Sequence, residues 1–110
     1  MDDTAPVDRN ACSLSEPAAD ARRTELRRSL GDHYLGAALE DGTLEVRFEG
    51  VTGPLPAVAS FVERERGCCA FATYRITVEP PYEETRLVVG GPEGTAELFH
   101  EEVTAALGDD

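Results

Sequence analysis

Residues 33–50 read HYLGAALEDGTLEVRFEG, and the Asp41-Gly42 dipeptide inside them governs how the whole segment is read. By composition, LGAALE suits a helix. Asp-Gly between two apolar runs is a hairpin signal, because Gly accepts the positive φ that a two-residue turn requires. Beyond it, Leu44, Val46 and Phe48 alternate with Glu45, Arg47 and Glu49, the period of a half-buried strand. The spacing predicts a strand over Thr43 to Glu49, paired with one over about His33 to Leu39.

The same rules extend outward. Gly53-Pro54 opens a helix, PLPAVASFVERERG, whose prolines fall in the first turn and which Gly67 ends. AFATYRITVE is a strand with Tyr74, Ile76 and Val78 on one face; PPYEE turns the chain, and TRLVVGG returns. Gly91-Pro92 then opens a last helix, about Glu93 to Leu107. Upstream, SLSEPAADARRTELRRSLGDH reads as a helix with Ser15 as N-cap and Gly31 as its stop. Its only large apolar residues are Leu26 and Leu30, so it packs by one edge. Residues 1–11 are polar and read as a disordered tail. A faint repeat places Phe61 and Glu63 after Gly53-Pro54, and Phe99 and Glu101 at equal spacing after Gly91-Pro92. The expected fold is α+β: an N-terminal helix followed by two β-β-α units in a single domain, residues 12–108. A four-stranded antiparallel sheet carries the helices on one face.

The charge narrows the partners. The chain has 110 residues and a formal net charge of −12; all ten of its basic residues are Arg, and it contains no Lys. Such a surface repels phosphate backbones and anionic membranes, so neither nucleic acid nor a membrane is an expected partner. Acidity without Lys suits a salt-loving organism, where salt screens self-repulsion; an acidic solvated surface in any host is the plainer reading. No apolar run approaches the roughly 20 residues that span a bilayer. The N-terminus lacks the apolar stretch of a secretory signal, which gives a cytoplasmic expectation. Three cysteines, an odd number, argue for reduced thiols rather than a disulfide framework.

Two of those cysteines are adjacent, in FVERERGCCAFATY, residues 61–74. On the helix before them, Leu55, Val58 and Val62 form the apolar line, with Phe61 beside it. The line continues to Glu65 and then to Cys69, so a carboxylate falls on the core-facing side. There it needs a partner or a shifted pKa. Glu65 lies three residues before Cys68 and four before Cys69, within reach of either. The third thiol, Cys12, immediately precedes the first helix and closes over the pair if that helix packs along the second. Three thiolates with a carboxylate suit Zn(II); thiolates alone suit softer ions. No Cys-x-x-Cys pair is present, which argues against a zinc ribbon. His33 and His100 are the only histidines, and neither is near the cysteines in sequence. The four Arg of the first helix, Arg22, Arg23, Arg27 and Arg28, are expected to pair with acidic neighbours.

A leading Cys-Ser-Leu, a DG hairpin ending in RF, Glu65-x-x-Cys68-Cys69-x-Phe71 and a closing Gly91-Pro92-Glu93-Gly94 together resemble a group of small uncharacterised bacterial and archaeal proteins. Some of them are associated with heavy-metal, especially mercury, resistance. Their central motif commonly has Pro where this chain has Ala70. The resemblance covers roughly Cys12 to Phe99, implies no established activity, and brings Cys12 into one pattern with Cys68 and Cys69.

Three readings follow. In the first, a cytoplasmic protein binds a soft metal ion (Hg(II), Cu(I) or Zn(II)) through Cys12, Cys68 and Cys69, with Glu65 as neighbour or fourth ligand, and acts as sensor, buffer or chaperone. In the second, one thiol does redox or nucleophilic chemistry; no acid-base pair in the sequence speaks for an enzyme. In the third, the cysteines are small hydrophobes packing a helix-to-strand corner of an interaction module. A homo-oligomer or a protein partner is left open.

Overall fold

Asp41 and Gly42 both take positive φ, 53° and 76°, the backbone of the tight hairpin their sequence predicts. The computed structural model describes the backbone of residues 16–68 and 70–108 and the side chains of 20–67 and 70–108. Over that range the chain forms α1 (Glu16–Leu30), a 3₁₀ turn (Gly31–His33), β1 (Tyr34–Glu40), β2 (Thr43–Glu49) and α2 (Pro54–Cys68). It continues through β3 (Thr73–Val78) and β4 (Glu84–Gly90) to α3 (Thr95–Leu107). The expected tail over 1–11 and the Ser15 cap lie outside the described residues.

The four strands form one antiparallel sheet in the order β1-β2-β4-β3. The second strand of each hairpin is therefore central, and β2 pairs with β4 from Leu44↔Val89 to Glu49↔Glu84. The alternation seen in the sequence sorts the two faces. Leu44, Val46, Phe48, Thr85, Leu87 and Val89 are buried. Arg47, on the opposite side of β2, faces out and is bonded through two nitrogens to the Glu84 carboxylate, at 3.1 and 2.6 Å. That pairing holds the exposed Glu84 carboxyl below its ordinary value.

The helices cover the apolar face. Val58 and Phe61 of α2, and Phe99, Val103 and Ala106 of α3, join the sheet residues in one core. Leu26 and Leu30 of α1 are buried in it too, and are the two large apolar residues that the sequence of α1 offered. The rings of Tyr74 and Phe99 meet edge to face, with centroids 5.9 Å apart. At the base of the sheet the fully buried Thr85 hydroxyl donates to the Gly50 carbonyl at 2.8 Å.

Three local expectations are adjusted. The buried stripe of α2 runs through Pro54, Val58, Phe61 and Glu65, with Leu55 and Val62 half-buried beside it. It is centred beside the predicted line, and α1 meets it at Glu65 through Arg22. Gly67 does not end α2, which continues to Cys68. α3 begins at Thr95 rather than Glu93, since residues 92–95 first form a turn in which Thr95 N–H donates to the Pro92 carbonyl at 3.0 Å.

Gly67 thus spends backbone entropy inside a helix. Among the described residues, a Cβ built there meets nothing within 4 Å. Gly67→Ala is expected to stabilise the protein by about 0.5–1 kcal/mol, read as a higher urea midpoint at unchanged slope. A lower midpoint would mean that the last turn of α2 needs glycine.

Candidate metal centre at the helix ends

The topology fixes which ends of the helices lie together. Thr73, the first residue of β3, pairs with Gly90, the last of β4. The C-terminus of α2, which leads into β3, therefore shares one end of the domain with the N-terminus of α3, which follows β4. The approach is close. A Cβ at Gly91 would stand 3.1 Å from the Phe71 carbonyl oxygen and 2.9 Å from the Thr95 hydroxyl. With φ at +148°, glycine is required there on both counts.

α1 is aligned by its arginines. Arg23 Nη1 donates to Glu102 Oε1 at 3.2 Å, and Arg27 Nε donates to the Ala106 carbonyl at 3.0 Å. Both contacts advance by four residues on each helix, so α1 and α3 run in the same direction. The N-terminal end of α1 then faces the same end of the domain as the C-terminus of α2. At the opposite end, His33, just after α1, lies beside Gly53, just before α2: a Cβ on Gly53 would sit 3.1 Å from His33 Nε2.

Glu65 occupies the place its sequence spacing implied, buried on α2 among apolar residues, at 8% exposure. Its carboxylate forms a hydrogen-bonded ion pair with Arg22 of α1. Burial pushes the Glu65 carboxyl above its ordinary value; the charge and hydrogen bond of Arg22 pull it back, as does Arg64 to a lesser degree, while Glu102 adds to the rise. The sequence located the carboxylate and missed its partner, which lies 43 positions away. Arg23 also reaches Asp20 at 2.6 Å and Arg28 pairs with Glu25, as expected; Arg27 is given to the Ala106 carbonyl instead of an acidic side chain.

Cys12 and Cys69 lie outside the described residues, as does the Cys68 side chain; the Cys68 backbone closes α2. Among the described residues no group of three His, Cys, Asp or Glu side chains is arranged to hold an ion. Among the described residues no helix is long and apolar enough to cross a membrane. Comparison with protein-family models, with curated proteins and with solved structures finds no match to this chain.

Proposed function

We propose that this protein binds a thiophilic metal ion through Cys12, Cys68 and Cys69, serving as a sensor, buffer or chaperone for Hg(II), Cu(I) or Zn(II). The observation that carries the reading is the shared end. The N-terminus of α1, which Cys12 precedes in sequence, and the C-terminus of α2, which Cys69 follows in sequence, lie at one end of the domain. Adjacent cysteine side chains tend to diverge, so a pair alone is a poor chelate; a third thiol from another element completes a set suited to a soft ion. Glu65 is not a free fourth donor in this reading, since Arg22 already holds it. The resemblance to proteins associated with heavy-metal resistance, stated on the same cysteines, favours the same class of ligand.

The test is native mass spectrometry of the reduced protein with Zn(II), Cu(I) and Hg(II) offered in competition. One ion should be retained per chain, and lost in Cys12→Ser and in Cys69→Ser. If no ion is retained, and all three thiols alkylate slowly until the chain unfolds, the cysteines are packing residues and the proposal fails.

A further inference from the structure

We propose that the outer edge of β1 is a self-association surface: a second copy of this chain adds its own β1 there, antiparallel about Ala37, and joins the two sheets into one. The proposal goes beyond the metal-binding reading and does not depend on the thiols.

β1 stands at one end of the strand order, so among the described residues β2 is its one strand neighbour. An edge strand is a template for another chain unless charge, proline or an irregular backbone blunts it. β3, the opposite edge, carries the exposed Arg75 at its middle, and Pro80 and Pro81 soon follow. β1 has no charged residue from Tyr34 through Leu39 and no proline. Its irregularity is confined to the start: the register with β2 shifts between Tyr34 and Gly36, then runs evenly to Glu40 opposite Thr43. Among the described residues the large apolar side chains left exposed are Leu35 at 44%, Leu39 at 42% and Tyr82. Singly, such residues need no explanation. Two of them on one uncharged edge form an apolar rim.

A second copy is the occupant because the strand is complementary to itself. A two-fold axis at Ala37 sets Leu35 opposite the second copy's Leu39, and Leu39 opposite its Leu35, the reciprocity of an isologous contact. Gly36 then faces Ala38, and Glu40 faces Tyr34, so no like charges are opposed. A shift of one residue either way would set Leu35 against Glu40 or Ala38 and lose both leucine contacts. Charge on the open face of the sheet agrees with this register. Gly36 stands beside Arg47 there, and Ala38 beside Glu45. Gly36 of one copy meets Ala38 of the other, so each Arg47 row runs into a Glu45 row across two residues with little or no side chain. Each copy also brings a net charge of −12. Salt, by screening that repulsion, should tighten the pair.

The test is sedimentation velocity on the full chain, reduced and treated with chelator, over a range of concentrations at low and high salt. Hydrogen exchange across residues 35–39 is followed in parallel. The expected result is a dimer that tightens with salt, with exchange over 35–39 slowing as protein concentration rises. Leu39→Lys, at an exposed position, should melt near the parent's urea midpoint and weaken the dimer about 10-fold or more. Leu35→Glu should do the same. An equal mixture of the two variants should recover the dimer, since the lysine of one then faces the glutamate of the other while one leucine pair stays intact. A chain that is monomeric at every concentration in both salts would overturn the proposal; if its residues 35–39 are protected at all dilutions, the chain covers its own edge. A dimer that leaves exchange over 35–39 unchanged, or that Leu39→Lys does not weaken, would also overturn it. So would variants that pair no better mixed than apart.

Discussion

Arg22→Leu is expected to cost the fold roughly 3 kcal/mol at pH 7 and progressively less as the solution is acidified toward pH 5. The figure is at the low end for breaking a buried ion pair, because Arg22 keeps 24% of its side chain in solvent. The pH dependence follows from the direction of the Glu65 shift. Burial raises the folded-state carboxyl above its unfolded value even with Arg22 in place. Through the interval between those two values the folded chain holds more proton than the unfolded one. Stability from this group is therefore complete below the unfolded value and is lost as pH rises through the folded value. Without Arg22 the folded value climbs further and the interval widens upward. Urea melts of parent and variant at several pH values between 5 and 8 measure it: the gap between them should shrink with acid. A gap that is constant, or that grows with acid, would mean that Glu65 is not the group left stranded.

Phe48→Ala should be the most damaging single truncation in the sheet, at about 3–5 kcal/mol. Phe48 is 2% exposed on β2, a central strand, and its ring centroid lies 6.3 Å from that of Tyr34. β-Sheet neighbours on both sides leave little room for the gap to close. A domain of this size holds only about 5–15 kcal/mol in total, so the variant should melt at a much lower urea concentration or be largely unfolded without denaturant. A loss under about 1 kcal/mol would contradict the placement of Phe48 in the core.

The elements that sequence reasoning recovered are those dictated locally. Asp41-Gly42 specifies its own turn, and Leu44-Val46-Phe48 specifies both a strand and the face it buries. Gly-Pro marks where each of the last two helices is prepared, though the offset at α3 shows the limit of that signal: Pro92 belongs to a turn that must close before Thr95 can begin the helix. Burial of Glu65 was legible for the same reason, since three- and four-residue spacing along α2 is a local property. Its partner was not. Whether Arg22, Arg23, Arg27 or Arg28 reaches α2 depends on the rotation and direction of α1, and those are set by contacts with Glu102 and Ala106 at the other end of the chain. The same contacts bring the N-terminus of α1 to the end of the domain where α2 finishes. Cys12 and Cys69 lie far apart in sequence, and both fall outside the described residues.

The central claim is that three thiols, and not Glu65, serve one ion. The measurement that tests it most directly is X-ray absorption at the Hg edge on reduced protein loaded with one equivalent of Hg(II), counting the donor atoms around the metal. Three sulfur neighbours with no oxygen at bonding distance, falling to two in Cys12→Ser, is the predicted result. Two sulfurs in the parent chain, or an oxygen donor that disappears in Glu65→Gln, would contradict it.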